Sequence, residues 1–299
     1  MIDKKKEKRF NVILYLFFAL VCASFIIPLI VVISASFTSE EALLSGGFSL
    51  LPREFTTAAY HSAFKNGEKM IRAYLVTIAE SFGGTFLSCV VCGMIGYALS
   101  RSSFRFRKPI THFLLFTMLF SAGMIPTYIV YSKYYHISNT FWIYILPGIT
   151  GGAWNTFVYR TFFQTLPESL FESARLDGAN ELMIFFKIVI PLSTPVFASL
   201  GFMTLVSRWN DYTTSMIYIR NENLYTLQYL LQKIMSEAEF LKALAMNTEL
   251  SGISANVFAR PSETLKFAMC IIAAGPMLVI FPFFQKYFSQ GLTIGAVKG

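Results

Sequence analysis

Charged residues in this chain are separated by long apolar blocks, not by the short alternation of a half-buried helix or strand. No charge occurs between Arg9 and Glu40, Glu80 and Arg101, Lys108 and Lys133, Lys133 and Arg160, Lys187 and Arg208, or Lys266 and Lys286. A hydrocarbon core about 30 Å thick is crossed by about 20 apolar residues of helix. The pattern therefore predicts spans over 12–36, 73–100, 109–132, 139–163, 188–219 and 263–287. The expected fold is all-α integral membrane: a cytoplasmic N-terminus over 1–11, a transmembrane domain over 12–288 and a cytoplasmic tail over 289–299.

Composition strengthens this picture, since 55% of the 299 residues are hydrophobic and 14% charged, against about 25% charged in an average soluble domain. Lys4, Lys5, Lys6, Lys8 and Arg9 precede the first block. That block is much longer than the roughly 7–15 apolar residues of a cleaved signal, so it is read as a retained span.

Lysine and arginine bias sets the orientation. With the N-terminus inside, segments 1–11, 101–109, 160–187 and 286–299 carry 14 basic and six acidic residues, whereas segments 37–72, 133–138 and 220–263 carry nine of each. The net charge of +8 thus falls on one side, an N-in/C-in topology. This basicity reads as topology, and no nucleic-acid partner is expected.

Candidate chemistry is sparse. Cys22, Cys89, Cys92 and Cys270 all fall in predicted spans, where packing explains them better than redox or metal binding. His61, His112 and His136 are scattered without metal-ligand spacing. No Gly-Lys dipeptide occurs, which excludes a P-loop, and no Gly-x-Ser-x-Gly elbow is present. No catalytic or metal residue is assigned, and the chain is not expected to be an enzyme; any ATP would be bound by another subunit.

The informative stretch runs from Thr165 to Asn180 within the cytoplasmic segment 165–187. Thr165 and Glu168 have the spacing of a capping box, with Pro167 in the first turn, and Gly178 supplies a left-handed residue to end a short helix. Leu166, Leu170, Phe171 and Ala174 form its apolar face. From the residues alone, such a helix either lies on the membrane surface or docks a partner protein.

Glu172-Ser-Ala-Arg-Leu-Asp-Gly-Ala179, followed by Phe185 or Phe186, Ile190-Pro191-Leu192 and Pro195, resembles the Glu-Ala-Ala loop of permease subunits of ABC importers, with Ser173 in place of the first Ala. Trp209-Asn210-Asp211-Tyr212 and Phe48-Ser-Leu-Leu-Pro-Arg53 with Tyr60 are similar to the carbohydrate-uptake (maltose-type) branch. Phe284-Gln-Lys-Tyr-Phe288 and the end from Gly291 to Gly299 resemble its permeases for complex or oligomeric sugars of Gram-positive bacteria. The resemblance covers residues 10–299. It implies the type I importer permease fold with a cytoplasmic coupling helix, in a bacterial plasma membrane. It also implies a heterodimer with a second permease, two ATP-binding subunits holding ATP and Mg, and an extracellular sugar-binding lipoprotein.

On this resemblance the ATPase-coupling residues are Glu172, Ser173, Ala174, Asp177, Gly178 and Pro191. In span five, Arg208, Asp211 and Tyr212 share one helical face. They form either a self-neutralising ion pair or a sugar path, with Trp209 and Tyr212 stacking on rings and Arg208, Asn210 and Asp211 bonding hydroxyls. Glu80 is a weaker member, since it can snorkel to the outer surface. The outer loop 220–262 has room for short helices around 225–242 and is expected to meet the binding protein. The glycine-rich tail after Tyr287 either reaches the ATPases or is disordered. An ion-coupled secondary transporter is the alternative, but paired mid-membrane acids and an internal repeat are missing. A polytopic membrane enzyme would need His, Asp or Glu clustered near one face.

Overall fold

The structure, a computed structural model, describes residues 4–65, 67–247 and 263–296. Parts of the predicted N-terminal segment, the outer loop 220–262 and the tail lie outside them. The described residues are helical, with one isolated bridge between Thr38 and Phe55 and no named strand. The chain divides into two compact units, 1–67 with 231–276 and 68–230 with 277–299.

The first unit contains α1 (Lys4–Ser36), α2 (Glu40–Gly46) and α3 (Ala58–Ala63), together with most of α14 (Leu227–Asn247) and the first turns of α15 (Glu263–Ala296). From Phe10 to Ile30 most apolar side chains of α1 are exposed, as expected of a helix solvated by lipid, and Ala35 near its end is buried. Phe37 stacks on Tyr60 at 4.8 Å and on Phe55 at 5.4 Å, and Ser36 shares a 2.8 Å hydrogen bond with the Tyr60 hydroxyl. The Glu40 carboxylate accepts the first backbone N–H groups of α15, from Glu263 at 2.8 Å and Thr264 at 3.1 Å, a charge well placed at a helix N-terminus.

The second unit is built on α4 (Gly67–Ser100), which buries small residues at four-residue spacing: Gly84, Ser88, Cys92, Gly96 and Ser100. Such a stripe lets neighbouring helices approach closely in lipid, where apolar burial gives no drive of its own. Against it pack α8 (Gly152–Phe163), α9 (Glu168–Leu176), α10 (Glu181–Ile184) and α12 (Thr194–Trp209). Their shared core includes Cys92, Tyr97, Tyr159, Phe163, Phe171, Ile184, Phe185 and Leu200.

Among the described residues, three helices are long and apolar enough to cross unbroken: Phe10–Ser36, Gly67–Ser100 and Glu263–Gln285. Two of the other predicted spans are each a bent pair. α5 (Arg107–Leu119) turns by 115° into Met124–Tyr134, which comprises α6 (Met124–Ile129) and a π turn; Glu181–Leu192, ending in α11 (Ile190–Leu192), turns by 85° into α12. Gly123 at φ +84° makes the first break, and Pro191 and Pro195 flank the second, each removing a backbone donor from the ladder. The predicted stretch 139–163 holds only α7 (Trp142–Ile145), irregular chain and the 12-residue α8. α12 stops at Trp209, and a separate α13 (Thr213–Tyr218) follows.

Asn139, itself at φ +58°, ties this irregular region together by accepting the N–H groups of Arg220 and Asn221, both at 2.8 Å. Below it, Tyr144 bonds the Leu224 carbonyl at 2.8 Å and the Ser215 hydroxyl at 2.6 Å.

Candidate functional sites: a docking segment and a polar cavity

The 165–187 segment forms the predicted helix, α9, with a different start. Thr165 does not cap it: its hydroxyl donates to the Phe162 carbonyl at 2.7 Å, and the helix begins at Glu168 behind extended Pro167. Pro167 presets the backbone angle at the entry and carries no N–H of its own, and no side chain caps the first turn. The end is as predicted. Gly178 lies at φ +81°, its N–H bonds the Arg175 carbonyl, and the Ala179 N–H bonds the Ala174 carbonyl, the paired closure of a Schellman turn.

Amphipathicity divides the residues predicted to couple to an ATPase between two faces. Phe171 and Ala174 are buried in the core, with Leu166 packed alongside, while Leu170 is 41% exposed and off this face. Glu172, Ser173, Asp177 and Gly178 are exposed. Ala174 therefore seats the helix, and its neighbours on the far side present it. Leu176, 88% exposed, joins them. It was legible in principle, because it follows Glu172 and Ser173 by four and three residues and so shares their face. Pro191 sits apart from α9, exposed at the start of α11.

A chain of charges fastens α9 to its unit. Arg101, just past α4 and only 6% exposed, donates to the Glu168 carboxylate at 2.8 Å, the Phe163 carbonyl at 2.8 Å and the Ser100 hydroxyl at 2.9 Å. Its guanidinium lies over the Phe171 ring, 4.1 Å from the centroid. Glu168 approaches Arg175 at 3.7 Å, and Arg175 donates to Glu181 at 3.0 Å. Glu181 also accepts from the Tyr97 hydroxyl, back on α4, at 2.6 Å. The Glu181 hydrogen bond holds the Arg175 guanidinium above its ordinary range.

The second site is a cavity of about 450 Å³ lined by Tyr144, Gly148, Asn155, Thr204, Arg208 and Asp211, among others. Its architecture follows from the break before α8. Irregular backbone shielded from water needs partners for its polar groups, and Arg208 supplies them, donating to the Tyr144 carbonyl at 2.8 Å and the Gly148 carbonyl at 3.0 Å. A Cβ on Gly84 or Gly148 would fall within 2.5 Å of this guanidinium, so the two glycines make its slot. Glu80, 2% exposed, faces it at 3.7 Å. Glu80 thus pairs inside the unit instead of snorkelling outward.

The five predicted path residues do not all line this cavity. Arg208 and Asp211 line the cavity. Trp209 is 1% exposed in the core, Tyr212 is 42% exposed outside the lining, and Asn210 bonds back to the Val206 carbonyl at 2.9 Å. Nor do Arg208 and Asp211 pair. The helix ends between them, and Asp211 caps α13 by accepting the Thr213 N–H at 2.9 Å and the Thr214 N–H at 3.2 Å. The sequence reading missed Asn155, Thr204, Ser207 and Thr214 in the lining. Thr204, Ser207 and Arg208 recur at i, i+3 and i+4 on α12, a polar stripe that periodicity would have revealed. Among the described residues no three His, Cys, Asp or Glu side chains are grouped to hold a metal ion.

A bent apolar helix beside a cavity with polar lining residues, and a helix on a charged mount with one side exposed, fit a membrane transport subunit. The chain belongs to the family of binding-protein-dependent transport system inner membrane components, which it matches over residues 90–294. It is 36% identical over 297 residues to the polygalacturonan/rhamnogalacturonan transport system permease protein YtcP of Bacillus subtilis (strain 168), covering 98% of this chain and 100% of that protein. To the arabinooligosaccharides transport system permease protein AraQ of the same organism it is 27% identical over 298 residues, 97% of this chain and 96% of the relative. A solved bacterial ABC transporter involved in the import of the acidic polysaccharide alginate contains a chain of similar structure, with TM-score 0.78 and 27% identity. That match covers 96% of this chain and 99% of the other.

Proposed function

We propose that this chain is a permease subunit of an ATP-driven importer of oligosaccharides in the bacterial plasma membrane. It works beside a second permease, on two ATPase subunits that carry ATP and Mg, and receives sugar from an external binding lipoprotein. The six spans, N-in/C-in, comprise the three unbroken helices, the two bent pairs and the stretch through α7 and α8. Relatives named for polygalacturonan/rhamnogalacturonan and arabinooligosaccharide transport, and a solved importer of the acidic polysaccharide alginate, support an oligosaccharide cargo. An ion-coupled transporter is not favoured, since the family is defined by binding-protein-dependent systems.

One observation carries the coupling role: α9 buries Phe171 and Ala174 while exposing Glu172, Ser173, Leu176, Asp177 and Gly178. A helix anchored on one side and bare on the other is a docking element, and its cytoplasmic side suits an ATPase groove. The cavity beside Arg208 is this subunit's share of the path, offering Asn155, Thr204, Ser207, Asp211 and Thr214 to sugar hydroxyls. Co-purification of a nucleotide-binding subunit, lost in Gly178→Asp while the chain stays in the membrane, tests the coupling role. An unchanged yield of the ATPase and unchanged uptake in that variant would reject it. Uptake by the purified complex, compared across neutral and uronic oligosaccharides, identifies the cargo.

A further inference from the structure

A cation at a helix C-terminus needs no explanation beyond the helix dipole. Arg101 does more than complement α4. Its three donors go to three elements: Ser100 on α4, the Phe163 carbonyl at the end of α8 and Glu168 at the first residue of α9. The planar fork of a guanidinium fixes such partners in relative orientation, as a lysine ammonium cannot. Phe171, the buried anchor of α9, lies under the same group.

The other end of α9 returns to the same helix through Arg175, Glu181 and the hydroxyl of Tyr97, one turn before Arg101. Both ends of α9 are thus tied to α4, and its exposed tip is left for a partner. About 20 residues up α4, or about 30 Å at 1.5 Å per residue, Glu80 meets Arg208 beside the cavity. α4 is unbroken between these points.

We propose that Arg101 is a positioning residue that locks α9 to α4, so that α4 carries motion of the docking segment to the Glu80–Arg208 pair. This rests on the reading of α9 as the ATPase-docking helix. Because Arg101→Ala leaves the Phe163 carbonyl and Ser100 without their partner, milder changes make the test. Arg101→Lys keeps the charge and loses the fork, and Glu168→Gln keeps a polar partner and loses the charge.

The assembled complex with each variant, and with both together, is reconstituted in vesicles, and ATP hydrolysed per sugar imported is measured beside ATPase co-purification. Expected is ATPase association and turnover within about twofold of wild type, with ATP per sugar rising at least about fivefold, the lower end of coupling between distant sites. The double variant is no worse than the more severe single one, because both act through one contact. An unchanged ratio, even with reduced yield of the complex, assigns Arg101 a purely structural role and overturns the proposal; so does a double variant whose effects multiply. A wild-type complex from which no ATPase co-purifies would overturn the docking reading and the lock with it.

Discussion

Two arginines flank the second unit's polar chemistry, and they use the same bonds to opposite ends. Arg208 lies inside a predicted span, donates to two carbonyls of a broken helix and faces a carboxylate that is 3% exposed. Arg101 lies at a span's end, donates to one carbonyl and pairs with a carboxylate that is 56% exposed. The first replaces water for backbone that the membrane cannot hydrate. The second grips a helix whose far side is exposed. An intramembrane charge therefore need not touch the cargo, and a juxtamembrane one need not serve only topology.

The contrast is tested most severely by Arg208→Ala. Removing one member of a buried pair costs about 3–5 kcal/mol, because the other charge is left behind, so the variant should be poorly recovered and unfold at lower temperature in detergent. Adding Glu80→Gln should restore part of that loss, and a double variant as unstable as Arg208→Ala alone would show that Glu80 is not the group left stranded.

Gly178→Asp comes next. A non-glycine residue in the left-handed region costs about 1–2 kcal/mol, enough to distort the Schellman turn without unfolding the chain. Membrane insertion should persist and ATP-driven uptake should fall at least about tenfold, roughly the 1.4 kcal/mol equivalent of that strain. Leu176→Ser should leave thermal stability within about 0.5 kcal/mol, as expected of an exposed site. It should weaken ATPase co-purification measurably, which titration of the ATPase subunit onto the immobilised chain would read. The smallest effect belongs to Asp211→Asn. The amide oxygen still accepts the Thr213 and Thr214 N–H groups, so α13 stays capped, and uptake KM should rise by a few fold, on the scale of about 1 kcal/mol for one hydrogen bond. An unchanged KM would remove Asp211 from the path.

Much of this was legible in the sequence because lipid imposes a coarse rule. Charge-free blocks located α1, α4 and the apolar part of α15, and Gly178 announced the end of α9. What block counting could not give was continuity: a charge-free run looks alike whether it folds as one helix or as two pieces bent at Gly123 or at Ser193. The same limit misled the reading of residues 208–212, where helical spacing placed Arg208 and Asp211 on one face of a helix that ends at Trp209. Trp209 illustrates a different gap, since an aromatic in a span is as ready to fill a core as to stack on a sugar. The Arg101 network was invisible because its members, Tyr97, Arg101, Glu168, Arg175 and Glu181, meet only through tertiary packing.

The central claim, that α9 couples ATP hydrolysis on partner subunits to sugar movement through this chain, is tested most directly by ATP-dependent oligosaccharide uptake. Membrane vesicles from cells that make all the subunits, with either the wild-type chain or Gly178→Asp, serve for this measurement. The account predicts uptake with the wild-type chain that requires ATP and is lost in the variant at equal incorporation. Equal ATP-dependent uptake by both would contradict it.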